Sequence, residues 1–186
     1  ERVRQSALSA GLGTWRPSKG ELGSSVYDGM GFWGEHSLLL VSLAMVEDTH
    51  VFPNSMFFRV TRPGMEKAYT HSDRETGARP CIVYLSEHAE PYGTGFYRHK
   101  ETGLDRMPTF AQMRHPEFDQ LKSDMIESPE DAWEQVGYIA GKLNRAVIFD
   151  APLFHSRLPK DGLGSTDDDS RMVWACHFHT PNTLER

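Results

Sequence analysis

Three residues of this chain have the types and spacing to hold a metal ion. His71 and Asp73 stand two positions apart, and His155 follows 82 residues after Asp73. In an extended strand side chains alternate between faces, so His71 and Asp73 project the same way. A distant strand that delivers His155 would complete two imidazoles and one carboxylate. That facial donor set suits Fe(II) and leaves coordination positions open for other ligands. Plainer roles fit the same residues: His71 as a surface-strand histidine hydrogen-bonded to Asp73, and His155 as a turn residue after Pro152. His177 and His179 also alternate, but no carboxylate of matching context accompanies them, and they read as surface or core histidines. His88, His99 and His115 lie in polar, loop-like surroundings.

The elements that must position these residues are mainly strands. Runs at 56–61, 68–73, 81–86, 93–99, 146–149 and 171–178 are short and apolar, bounded by turn signals such as Pro53-Asn54 and Pro63-Gly64. The run at 68–73 carries the His-x-Asp pair, and the one at 146–149 leads to His155. Helices are expected at 2–10 and 34–46. The second contains the longest apolar stretch, 37–46, which reads as a buried helix. Residues 118–126 and 129–141 have helix or loop character, the latter opened by Ser128 as an N-cap with Pro129 and two acids behind it. The Gly- and Ser-rich stretch at 18–34, punctuated by Tyr27, Phe32 and Trp33, reads as a surface loop or as a rim over a site. Asp167-Asp168-Asp169 reads as a solvated turn.

Two helices followed by about seven strands define the expected fold: mainly β with flanking helices, a jelly-roll or double-stranded β-helix. The 186 residues, 38% hydrophobic, suffice for one cored domain. Within it, residues 1–50 are helical support, 56–178 are the β core, and about 105–143 are an insertion. The mouth of such a barrel is a concave, partly polar pocket. A net charge of −6 argues against a nucleic-acid partner. No apolar run approaches the roughly 20 residues of a membrane span. Cys81 and Cys176, the only cysteines, sit in apolar strands and behave as small buried hydrophobes, although a disulfide between them stays open. The chain opens at Glu1 with no signal peptide, and a cytoplasmic location is the default expectation.

Several blocks then fall in one order. His71-Ser72-Asp73 is followed by Arg79 and the strand Cys81-Ile82-Val83-Tyr84-Leu85-Ser86, then by Gly93-Thr94-Gly95-Phe96. Next come Asn144 to Asp150 with Phe154-His155-Ser156, and last Arg171-Met172-Val173-Trp174. Together these blocks, spanning about residues 56–178, resemble the Fe(II)- and 2-oxoglutarate-dependent oxygenases of the prolyl-hydroxylase-like branch. The resemblance implies that His71, Asp73 and His155 are catalytic metal ligands for Fe(II). It implies that Arg171 and Tyr84 bind the far carboxylate of the cosubstrate 2-oxoglutarate, with O2 as the second cosubstrate. The implied reaction is hydroxylation, with release of succinate and CO2, by an iron-dependent dioxygenase (an oxidoreductase).

Three features depart from the family pattern. The strand ends Leu85-Ser86 where Leu-Asn is common. Arg171 lies sixteen positions after His155, further than is usual, which makes Arg157 a rival for the cosubstrate. The part before residue 56 matches no substrate-recognition element. Outside the resemblance, Arg171 also fits pairing with the acidic loop before it, and Tyr84 fits core packing. Two alternatives stand beside the leading reading: a cupin-like metal-dependent dioxygenase or isomerase that does not use 2-oxoglutarate, and a catalytically silent binding module. The expected substrate is a small molecule or a protein side chain; oligomeric state has no signature in the sequence.

Overall fold

The computed structural model describes residues 2–9, 15–17, 25–28, 33–64, 68–74, 78–166 and 168–181. Three α-helices occur among them: α1 (Arg2–Ser9), α2 (Trp33–Glu47) and α3 (Asp119–Glu127). Nine strands follow the chain as β1 (Trp15–Pro17), β2 (Ser25–Asp28), β3 (Phe52–Thr61), β4 (Arg79–Tyr84), β5 (Gly93–His99), β6 (Trp133–Ala140), β7 (Ala146–Ile148), β8 (His155–Leu158) and β9 (Arg171–His179). They form a six-stranded sheet ordered β1-β2-β3-β9-β4-β7 and a three-stranded sheet ordered β6-β5-β8. Every strand pair is antiparallel. The fold is a jelly-roll, mainly β with flanking helices.

Alternation along β9 divides the interior. Met172, Trp174, Cys176 and Phe178 turn to the helix side, where they pack with Phe58, Val60, Cys81, Leu85, Ala7 of α1 and Leu43 of α2. Arg171, Val173, Ala175 and His177 turn to the opposite face and line a cavity. Large apolar side chains on one face hold the helices; small or polar ones on the other leave room. Each large side chain buried on the helix side contributes on the order of 1.5–3 kcal/mol.

Several expectations need correction. Within 129–141, residues 133–140 are a strand, because Trp133, Tyr138 and Ile139 pair along β5, and that pairing overrides the local helix signals. Ser128 is not an N-cap: at φ 50° it ends α3, its N–H donating to Asp124 O at 2.9 Å, and only a turn at Glu130–Ala132 follows. Residues 105–143 thus hold α3 and β6, the latter an integral strand of the smaller sheet. Residues 68–73 form no regular strand; only His71 pairs, as an isolated bridge with His155. Pro53-Asn54 does not bound β3 but lies within it at a register shift. The stretch at 18–34 contains β2, and Trp33 opens α2; residues 18–24 and 29–32, Phe32 included, and Asp167 lie outside the described residues.

The α2 helix is buried on one side only: His36 and Leu43 are covered, whereas Met45 and Val46 are 78% and 70% exposed. Among the described residues no helix is long and apolar enough to cross a membrane.

Cys81 and Cys176 are free and face each other directly across β4 and β9 beneath the helices. Burial pushes both thiols up to about 12, Glu47 adding to the effect at Cys81 and Cys81 itself at Cys176. Thiolates are the reactive form. An aromatic disulfide reagent at about pH 8 should therefore leave both unmodified in the native protein and find both after unfolding. Rapid reaction in the native state would mean that the helix layer opens.

Candidate metal centre

Backbone pairing brings the three sequence-selected ligands together. His71 N–H donates to His155 O at 3.0 Å and His155 N–H returns the bond to His71 O at 2.9 Å. Two residues on, Asp73 N–H donates to Ala151 O at 2.9 Å. One stretch is thereby clamped along the entry to β8, and no regular strand is needed for His71 and Asp73 to point the same way. The two imidazoles lie against each other at a tilt of 50°, with centroids 4.4 Å apart.

Each ring is also set in rotation. His71 Nδ1 is 3.1 Å from Tyr69 O and His155 Nδ1 is 3.0 Å from Leu153 O. A carbonyl only accepts, so these bonds assign the proton to Nδ1 and leave each Nε2 lone pair free to ligate. Both Nε2 atoms face the Asp73 carboxylate: His71 is 3.7 Å from Oδ1 and His155 is 3.4 Å from Oδ2. One ligand atom from each of His71, Asp73 and His155 lies within 4.8 Å of the others, the only such group of His, Cys, Asp or Glu among the described residues.

Electrostatics keep His71 and Asp73 in ligating form. Burial, helped by the neighbouring His155, lowers His71 to about 4, against the pull of Asp73. Burial alone would raise Asp73, but the imidazoles of His155, His177 and His71 that face its carboxylate outweigh it. The carboxyl is held well below the usual carboxylate range. Neutral imidazoles and an ionised carboxylate are what a divalent ion requires.

The three residues open onto a cavity of about 150 Å³. Phe57, Ile82, Val173 and Ala175 give it apolar walls; Arg59, Arg157, Arg171, Thr94 and Ser156 supply polar ones. Arg171 is 4% exposed and its Nε has no hydrogen-bond partner. Burial lowers its pKa, against the attraction of Tyr92 and Tyr84, with Arg157 adding repulsion. Arg157 lines the same cavity, but its Nε donates to Lys160 O at 3.1 Å. Burial brings it to about 10, against the pull of Asp161. Tyr84 is fully buried, its hydroxyl 2.6 Å from Thr94 Oγ1; Thr94, not Tyr84, lines the cavity.

Two cavity residues escaped the sequence reading. His177 is neither surface nor plain core: its Nε2 lies 3.2 Å from Asp73 Oδ2. Arg59 lines the same cavity from β3, lowered to about 9 by burial and then by Arg157 and Arg171. The signal that finds Arg59 is period two: Ser55, Phe57, Arg59 and Thr61 pair with His177, Ala175, Val173 and Arg171.

Fold and donor set together define a jelly-roll protein with a cluster of two histidines and one carboxylate at a cavity inside the barrel. The chain belongs to the family of unknown function DUF6445, whose sequence model matches residues 48–171. No curated protein matches the sequence at a significant level. Solved structures similar in fold include EvdMO1, at 14% identity and a TM-score of 0.56 over 97% of this chain. They also include AviO1 from Streptomyces viridochromogenes Tue57, at 15% identity and a TM-score of 0.51 over 97% of this chain and 84% of that one. A third is SnoN, a non-haem α-ketoglutarate-dependent epimerase from nogalamycin biosynthesis, at 13% identity and a TM-score of 0.52 over 95% of this chain and 69% of that one. The chain spans only 44% of the length of EvdMO1. At such identities the likeness is one of fold.

Proposed function

We propose that this chain is an Fe(II)- and 2-oxoglutarate-dependent oxygenase that hydroxylates its substrate, a small molecule or a protein side chain. The observation that carries the reading is the convergence of His71, Asp73 and His155 within 4.8 Å at a cavity that also contains the buried Arg171. The residues fit the group: two neutral imidazoles and one carboxylate compensate one of the ion's two charges, which favours an anionic chelating cosubstrate. SnoN, whose cosubstrate α-ketoglutarate is the same compound as 2-oxoglutarate, adds support at the level of fold.

In this reading His71, Asp73 and His155 hold Fe(II). When bound, the iron and 2-oxoglutarate supply an O2-dependent oxidation in which one oxygen atom ends in succinate, CO2 is released and the other oxygen enters the substrate. The chain's own residues bind and orient. Arg171 offers a permanently charged planar fork for the far carboxylate. Thr94, keyed by the Tyr84 hydroxyl, adds a hydroxyl at the same wall. Phe57, Ile82, Val173 and Ala175 exclude water, which strengthens every polar contact inside.

The test is anaerobic addition of Fe(II) and then 2-oxoglutarate to the apoprotein, followed in the visible spectrum. A weak charge-transfer band that needs both additions is expected. Iron binding without any response to 2-oxoglutarate would replace this reading with a metal-dependent activity that lacks the cosubstrate. A folded protein that binds neither would refute it.

A further inference from the structure

The register of β3 against β9 shifts between Pro53 and Ser55. Carried forward from Phe52↔His179 and Pro53↔Phe178, the ladder would set Asn54 opposite His177 and Phe58 opposite Val173. Instead Ser55 faces His177 and Arg59 faces Val173. A one-residue offset exchanges the two faces of a strand, and bulges re-aim side chains in this way beside functional sites. Here the offset assembles a relay: Ser55 Oγ lies 2.8 Å from His177 Nδ1, and His177 Nε2 lies 3.2 Å from Asp73 Oδ2.

The donor directions follow from the chemistry. A carboxylate only accepts, so His177 Nε2–H donates to Asp73, and His177 Nδ1 accepts the Ser55 hydroxyl proton. The relay has a task. The terminal torsion of an aspartate is soft and two-fold, so a carboxylate between imidazoles can turn. Held at Oδ2, it keeps Oδ1 on the side of His71. His177 falls outside the group whose ligand atoms all lie within 4.8 Å, which makes it a partner of the ligand and not a fourth ligand.

We propose that His177, oriented by Ser55, is a positioning residue that fixes the Asp73 carboxylate for metal binding. The inference rests on the metal-centre reading above. Outer-shell partners of this kind are worth roughly 10–100-fold in metal affinity.

The test is anaerobic titration with Co(II), read by its visible d–d absorption, on wild type, His177→Ala, His177→Gln and Ser55→Ala. His177→Ala should bind Co(II) roughly 10–100-fold more weakly. His177→Gln should recover most of the loss, because its amide N–H takes the place of Nε2–H. Ser55→Ala should show a smaller loss with an unchanged d–d spectrum. Wild-type affinity in His177→Ala would overturn the proposal. So would a Gln variant as weak as Ala, which would mean that the ring acts by bulk. A His177→Ala spectrum of altered coordination geometry would make His177 a ligand instead. If His177→Ala loses thermal stability as apoprotein, Ser55→Ala decides: wild-type affinity there sinks the relay. A flat wild-type titration would refute the metal centre itself and the proposal with it.

Discussion

Asp73→Ala is expected to abolish metal binding while leaving the fold in place. Asp73 is the only charged donor of the three, and His71, His155 and His177 all face its carboxylate. Removing an outer-shell partner costs roughly 10–100-fold in affinity, and loss of the one anionic ligand should exceed that range. The loss is also readable as stability. A ligand that binds only the folded state at 100 times its Kd stabilises it by about 2.7 kcal/mol. For a domain of this size that is about 5–10 °C in Tm. Wild type should gain that increment on adding Co(II) or Fe(II), and Asp73→Ala should gain none. An Asp73→Ala protein that keeps the metal-induced increment would move the centre elsewhere. His155→Ala should behave alike. Because the His71–His155 bridge is made by backbone groups, side-chain removal leaves the clamp intact, and a collapse of apoprotein stability is not expected.

The convergence of His71, Asp73 and His155 was legible because it combines a local and an ordered signal. His71 and Asp73 are two residues apart, and His155 follows the short apolar run that forms β7. The expectation of a strand at 68–73 was stronger than needed: a single bridge to His155 and one bond from Asp73 to Ala151 give the same convergence. The jelly-roll itself was visible in the short β-branched runs and their turn signals. What escaped notice depends on partners distant in sequence. β6 carries helix-start residues at its entrance, and only β5 alongside makes it a strand. His177 gained its role from the register of β3, which a shift inside that strand determines. Nothing local to Pro53-Asn54 distinguishes an interior offset from a strand boundary. The exposure of α2 was hidden for a related reason, since ten consecutive apolar or small residues do not say which side will be covered.

The second large effect belongs to Arg171, and it carries opposite signs in two measurements. Arg171→Met should leave Co(II) affinity near wild type, because the guanidinium contributes no ligand atom. Its affinity for 2-oxoglutarate should fall steeply. Hydrogen bonds to charged groups are worth about 1.5–3 kcal/mol each, or roughly 10–150-fold for the loss of one. Arg171→Lys should recover part of this, since an ammonium supplies the charge but not the fork. The second measurement is apoprotein stability. Arg171 is 4% exposed, its Nε has no hydrogen-bond partner, and burial disfavours its charged form. A buried, incompletely satisfied cation destabilises the ligand-free fold. Arg171→Met should therefore raise the apoprotein Tm while it weakens 2-oxoglutarate binding. A residue that merely braces the barrel would lower Tm and leave 2-oxoglutarate affinity alone. Arg157 is the control, because it lines the same cavity but already donates to Lys160 O. Should Arg157→Met lose 2-oxoglutarate while Arg171→Met keeps it, the cosubstrate's far carboxylate belongs to β8 and not to β9. The long loop between His155 and Arg171 would then have displaced the usual basic residue from its task.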